Sequence, residues 1–236
     1  MDFIIEHAIT SPLRTITYSS DTDRLDDPEL YASAYRAVSE YRRQKTDKFV
    51  FMKDRKLSLG VEILLRKALY DLGMEEGEIE FIKNGKPALK GSDICFNLSH
   101  SGTKVMCSVS DEDVGCDVEM IAPIDLNIAR NYFYGSEYDT IAAAEGDSRY
   151  DLFYRFWTLK ESFMKVTGLG FELPLDAFRI TLGNPITVDQ DVDGRDYRFR
   201  EFFLDDGYHY ACCSVNRDIG PMLQVDLGNA IRTCMM

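Results

Sequence analysis

Residues 148–167, closed by Gly168, read as one long amphipathic helix with a cation in its apolar stripe. Phe153, Phe156, Trp157, Phe163 and Met164 recur at three- and four-residue spacing, the pattern of a helix laid across a core. At about 100° per residue, Lys160 points into the middle of that stripe. Glu161 and Lys165, four residues apart, share its border. Such a pair has a plain reading as a surface ion pair beside a lysine that carries its ammonium out to water. It has a second reading as the edge of a site that needs a carboxylate between two ammoniums.

The rest of the chain surrounds this helix with strands. Residues 3–9 and 13–18 read as strands, and 29–48 and 57–72 as helices, the second ended by Gly73. Strand-like runs follow at 79–83, 94–98, 103–110 and 114–120, with Asn84-Gly85 as a turn signal. A helical region is expected over 125–144. After the long helix the sequence returns to strands, in AFRITL, RDYRFREFFL, YHYACCSV and MLQVDL. CSVSDEDVG at 107–115 is echoed by CSVNRDIG at 213–220, which suggests two similar α+β halves split near residues 111–114.

Charge and cysteine usage bound the function. With 27 Lys and Arg against 40 Asp and Glu, the net charge of −13 argues against general nucleic-acid binding. An acidic chain that binds a polyanion must gather its positive charge locally. Here Arg42, Arg43, Lys45, Arg55 and Lys56 do so, as do Lys86 and Lys90, although a solvated helix face explains the first group equally well. No apolar run reaches the roughly 18 residues of a membrane span. MDFIIEHAIT lacks the basic and apolar segments of a signal peptide. Six cysteines without a C-x-x-C pair suit free thiols in a reducing cytoplasm.

Two short stretches carry chemistry. In VGCDVEM, Asp117 and Glu119 alternate onto one strand face, a half-site for Mg²⁺ or simply a solvated face. In FNLSHSG, Asn97, Ser99 and Ser101 can cap a turn, and His100 is either structural or a hydrogen-bond donor to a phosphate. A G-x-S-x-G elbow, a Walker A loop and a G-x-G-x-x-G are all missing, which disfavours serine-hydrolase chemistry and the standard nucleotide folds.

In order, N-G-K-P, F-N-L-S-H-S-G, V-G-C-D-V-E and F-W-T-L-K-E-S-F-M-K-V-T-G resemble the 4′-phosphopantetheinyl transferases, in their long, Sfp-type branch. The similarity runs from residue 41 to about 183. It implies an α+β fold of two similar halves with pseudo-two-fold symmetry and an active site in the cleft between them. Residues 1–112 would bind the coenzyme A nucleotide and phosphates, and 113–236 would hold the metal site, catalytic helix and carrier docking surface. It further implies transfer of the phosphopantetheine arm of coenzyme A to a serine of an apo acyl or peptidyl carrier protein, with Mg²⁺ as cofactor. By this resemblance Asp117, Glu119 and Glu161 hold the metal, while Glu161, Lys165 and Asp117 are catalytic. Lys86, Ser99, His100 and Lys165 meet coenzyme A, with Arg42, Lys45 and Arg55 as candidates for its 3′-phosphate. Lys160 would pair with carboxylates of the other half.

The carrier is expected near residues 123–138, where Arg130 is flanked by Ile128, Tyr132 and Phe133, unless those aromatics are core. The expected protein is a cytoplasmic monomer with no nucleic-acid or membrane partner. Two rivals stand beside the transferase: an inactive homologue that only binds carriers, and a Mg²⁺-dependent nucleotide phosphohydrolase.

Overall fold

The computed structural model describes residues 14–74 and 77–235, so the strand expected over 3–9 lies outside the described residues. The fold is α+β. In chain order the elements are β1 (Thr15–Asp21), α1 (Pro28–Ala37), α2 (Glu40–Asp47), α3 (Met52–Asp71), β2 (Ile79–Phe81), β3 (Pro87–Leu89), β4 (Cys95–Ser101), β5 (Lys104–Ser110) and β6 (Val114–Met120). Then come α4 (Asn127–Tyr132), α5 (Gly135–Ala143), α6 (Ser148–Thr167), β7 (Arg179–Thr181), β8 (Thr187–Asp189), β9 (Arg198–Phe202), β10 (Tyr208–Ser214), β11 (Ile219–Gln224) and α7 (Leu227–Cys234).

Two sheets organise the molecule. One has the order β11-β1-β5-β4 and the other β6-β10-β9, with β2-β3 and β7-β8 as small ribbons. Each larger sheet carries one 20-residue helix. On the first, α3 buries Leu57, Val61, Leu64, Leu65 and Leu69 against Tyr18, Phe96, Val105 and Val109. On the second, α6 buries Phe153, Phe156, Phe163 and Val166 against Ala211 and Cys213. Each such side chain contributes about 1.5–3 kcal/mol of burial. Where the sheets meet, Met106, Val114, Cys116, Val118, Tyr210 and Cys212 form a joint cluster. The last strand, β11, returns to the first sheet and pairs parallel to β1.

Several boundaries differ from the sequence reading. The helix expected over 29–48 is two helices, because Val38 is extended and Ser39 caps α2 by accepting from the Arg42 amide. The side chain of Glu62 takes the Ser39 amide, which fixes the break. The expected 125–144 helix likewise splits, since extended Phe133 turns inward to stack on Phe153 at 5.4 Å. The run MLQVDL is strand only up to Gln224; Asp226 then caps α7, a helix the sequence reading missed. Of the six cysteines, Cys107, Cys116, Cys212 and Cys213 are buried free thiols.

Candidate active site

Strand β4 lies beside β6 without joining its sheet, and side chains do the joining. Asn97 Oδ1 accepts the Cys116 amide at 2.9 Å, Ser99 Oγ the Val118 amide at 3.3 Å, and Ser101 Oγ the Met120 amide at 3.2 Å. Alternation along a strand places these three residues on one face, where they act as a substitute ladder between the sheets. The same hydroxyls then aim the carboxylates of β6. Ser99 donates to Asp117 Oδ1 and Ser101 to Glu119 Oε2, each at 2.7 Å. The turn-capping role expected for Asn97, Ser99 and Ser101 therefore gives way to a stitch across the sheets.

Gly115 lets α6 close over this face. A Cβ there would sit 2.1 Å from the Ser162 carbonyl oxygen and 2.5 Å from the Val166 amide, so a side chain would push the helix off the strand. The close approach brings Lys165 Nζ to 2.6 Å from Asp117 Oδ1 and 3.2 Å from both Ser99 Oγ and the Cys116 carbonyl. Lys165 is therefore bonded to the strand below it, not to Glu161 as a surface ion pair. Burial lowers its pKa, but Asp117, Cys116 and Glu161 outweigh this and raise it overall, so it stays charged.

The carboxylates are the uncompensated part. Asp117 has a side chain only 4% exposed, and its Oδ2 is buried without a hydrogen-bond partner. Burial, then the neighbouring Asp117, pushes Glu119 up to about 7 against the opposing pull of Ser101 and Lys165. Burial also raises Glu161, against Lys165. Three carboxyl groups thus share essentially one ammonium. An orphaned buried oxygen among crowded carboxylates fits a hard divalent cation that accepts oxygen ligands. Among the described residues no three His, Cys, Asp or Glu side chains form a closed ligand group. The protein offers a partial set that substrate oxygens and water would have to complete.

Three cavities adjoin here. One of about 310 Å³ is lined by Asp117, Glu119, Glu161, Lys165, Trp157 and Phe171. A second, of about 220 Å³, shares Leu98 and His100 with it and runs under Arg42 and Lys45. A third, of about 200 Å³, shares Lys165 with the first and Gly85 and Pro87 with the second, and contains Lys86. The result is a groove that is carboxylate-rich at one end and basic at the other. His100 is exposed along the groove, and partial desolvation there, together with Lys165, Lys45 and Arg42, holds its pKa below the ordinary value. The imidazole is therefore neutral at physiological pH and able to donate from one nitrogen and accept at the other.

The structure separates the basic candidates by what they already touch. Arg42 is 8% exposed and gives Nε to Glu62 at 2.9 Å, so it backs the cavity with part of its guanidinium already paired. Lys45 lines the cavity and is exposed. Arg55 donates to the Phe49 carbonyl and does not line it. Lys86 Nζ lies 3.7 Å from Asp113. Ser99 lines the first cavity and spends its one hydroxyl hydrogen on Asp117, which leaves its oxygen as an acceptor.

Lys160 corrects an expectation outright. Its side chain is 0% exposed and meets Glu137 at 2.7 Å, within its own half, and it also donates to the Phe178 carbonyl at 3.0 Å. Sequence reasoning missed Glu137 because the partner lies 23 residues away on a helix whose start was not foreseen. In the expected docking region, Phe133 is buried and Ile128 packs on the core, as the plainer reading held. Arg130 is exposed, as are Tyr132 and Tyr134.

Comparison with known proteins identifies the family. The profile described as 4′-phosphopantetheinyl transferase superfamily matches residues 113–213, and that described as 4′-phosphopantetheinyl transferase, N-terminal, matches residues 27–112. The 4′-phosphopantetheinyl transferase Sfp of Bacillus subtilis is 31% identical over 187 residues, covering 77% of this chain and 84% of that protein. The 4′-phosphopantetheinyl transferase gsp of Aneurinibacillus migulanus is 36% identical over 182 residues, 75% of this chain and 76% of its own. An L-aminoadipate-semialdehyde dehydrogenase-phosphopantetheinyl transferase of Xenopus laevis is 31% identical over 194 residues, 72% of this chain and 61% of its own. The carboxylate face of β6, the lysine of α6 and these matches converge on one assignment: the chain belongs to the 4′-phosphopantetheinyl transferase family, in its Sfp-type branch, and is an enzyme of that class.

Proposed function

We propose that the enzyme moves the 4′-phosphopantetheine arm of coenzyme A to a serine hydroxyl of an apo acyl or peptidyl carrier protein, releasing adenosine 3′,5′-bisphosphate, with Mg²⁺ as cofactor. One observation carries this reading. A buried carboxylate with an unpartnered oxygen, Asp117, meets Lys165 where a carboxylate-lined cavity opens into a basic one. A nucleotide pyrophosphate has the matching polarity, with its outer phosphates toward Lys45, Arg42 and His100 and its reacting centre at Lys165. Lys86 would approach the nucleotide from the third cavity. Of the three 3′-phosphate candidates, Lys45 and Arg42 line the basic cavity and Arg55 does not.

Asp117, Glu119 and Glu161 would hold Mg²⁺, which when bound shields the pyrophosphate charge and stabilises the charge that develops on transfer. The serine Oγ attacks the phosphorus bearing the pantetheine arm. The bond from that phosphorus to the bridging oxygen breaks, and the electron pair leaves with adenosine 3′,5′-bisphosphate. Glu161 accepts the serine proton, a role favoured by the burial that raises its basicity. Lys165, held by Asp117, Ser99 and the Cys116 carbonyl, faces the leaving charge with little reorganisation.

The similar-halves reading is supported by the two 20-residue helices, each across one sheet, with the groove where the sheets meet, although β11 and α7, from the end of 113–236, pack with the first half. Since one chain supplies both halves, a monomer suffices. Exposed Arg130, Tyr132 and Tyr134 support carrier docking near 123–138. Buried free thiols suit the cytoplasm. No helix among the described residues is long and apolar enough to cross a membrane.

Intact-mass spectrometry of candidate apo-carriers, incubated with coenzyme A and Mg²⁺, tests the proposal. Addition of the phosphopantetheine arm is expected, and its abolition by chelation supports the metal. Cleavage of coenzyme A without a carrier would favour the phosphohydrolase, and carrier binding with no mass gain would favour the inactive homologue.

A further inference from the structure

Asn84 is the one polar side chain of the N-G-K-P turn that reaches across to the catalytic helix. Its Nδ2 lies 3.0 Å from the Gly168 carbonyl, 3.4 Å from the Leu169 carbonyl and 3.1 Å from Glu172 Oε2. These acceptors lie just beyond the end of α6, where backbone carbonyls leave the helical ladder and need outside donors. The chain there turns through Gly168 and Gly170, with φ of 71° and 53°, into a 3-10 turn over Gly170–Glu172 whose own bonds, such as Glu172 amide to Leu169 carbonyl at 3.1 Å, leave the Gly168 carbonyl to Asn84. It then carries Phe171, 90% exposed, to the carboxylate cavity, which Trp157 also lines. Asn84 itself holds φ 57°, an unusual value for a side chain other than glycine.

We propose that Asn84 is a positioning residue that clamps the exit of α6 from the opposite half of the chain, and so fixes the Phe171 rim of the substrate groove. The two hydrogens of one amide are shared among the Gly168 carbonyl, the Glu172 carboxylate and, more distantly, the Leu169 carbonyl, and Asn84 sits in the wall of the cavity between Lys86 and Lys165. Loosening that wall costs substrate affinity before it costs chemistry, because Lys165 is bonded independently to Asp117 and Cys116. The kinetic arm rests on the transferase reading, whereas the clamp itself does not.

Asn84→Gly separates the clamp from its backbone conformation, since glycine adopts the same φ without strain but has no amide to give. Trp157, the sole tryptophan, reports on the rim without any substrate. Relative to wild type, Asn84→Gly is expected to make Trp157 more accessible to acrylamide quenching with no loss of thermal stability. In carrier loading, KM for coenzyme A should rise about fivefold, the effect of one net hydrogen bond, with kcat nearly unchanged. Unchanged quenching and KM would overturn the proposal and leave Asn84 as a turn residue chosen for its φ. A joint fall in kcat and Tm would overturn it too, since that marks general damage to the fold. If wild type loads no carrier, the transferase reading fails while the quenching comparison still decides the clamp.

Discussion

Lys160 and Lys165 lie on the same helix, five residues apart, and end in opposite surroundings. The inner face of α6 encloses Lys160 with Glu137, the Phe178 carbonyl and the faces of Phe133 and Phe178. The outer face holds Lys165 in a groove above carboxylates that outnumber it. On the inner face every charge is answered by protein; on the outer face a buried oxygen is left without a partner. That difference divides what folds the helix from what the helix does, and each prediction below tries to break the division.

The largest effect is expected on the inner face. Lys160→Ala leaves Glu137 buried beside an empty volume, which should cost about 3–5 kcal/mol in denaturant unfolding. Activity should be lost only with the fold. A normally stable but inactive Lys160→Ala would move Lys160 into the chemistry and dissolve the contrast.

The basic end of the groove comes next. Lys45→Ala should erase about 1.5–3 kcal/mol of preference for coenzyme A over dephospho-coenzyme A, the scale of one charge-assisted hydrogen bond before solvent screening. Competition assays with both compounds measure it. Equal discrimination by wild type and mutant would shift the 3′-phosphate toward Lys86 and His100. Arg42 is a poorer probe, because its pairing with Glu62 makes its removal a test of packing as well.

Between the faces lies Gly115. Gly115→Ala must separate α6 from β6, an overpacking cost of about 1–3 kcal/mol. It should also lower turnover, because Lys165 leaves Asp117 as the helix moves. A mutant of lower stability with full turnover would show that the contact positions nothing.

The smallest effect concerns pH. Glu119 rises from an ordinary 4.5 to about 7, chiefly through burial. A carboxyl with a raised folded value contributes stability below its unfolded value and loses it as pH rises through the folded one. Metal-free protein should therefore lose stability through this group between about pH 4.5 and 7, and Mg²⁺ should restore most at the upper end. Thermal unfolding across that range, with and without Mg²⁺, measures it. If Glu119→Gln leaves the profile unaltered, the crowding of carboxylates on β6 is overstated.

Much of this contrast was legible in the sequence. The period of α6 placed Lys160 on the apolar stripe and Glu161 with Lys165 on its border, and alternation placed Asp117 and Glu119 together, because these are short-range periodicities. What stayed hidden is long-range pairing. Neither the Glu137 partner of Lys160 nor the stitch from Asn97, Ser99 and Ser101 to β6 has any local signal beyond alternation of polar residues. The break at Val38 and the start of α7 were missed because Ser39 and Asp226 act as caps inside runs that otherwise read as continuous. Arg42 looked like surface charge because its partner, Glu62, lies 20 residues on, in the next helix.

The most direct test is carrier loading by Lys165→Ala, followed by intact mass alongside thermal unfolding of the same sample. Loss of a preorganised charge at the reacting centre should lower kcat about 10²–10³-fold. Melting of the metal-free protein should fall, since the buried Asp117 loses its ammonium, but the sample should remain folded at the assay temperature. A normally folded Lys165→Ala that loads carriers at nearly the wild-type rate would contradict the account, leaving the outer face of α6 as structural as the inner.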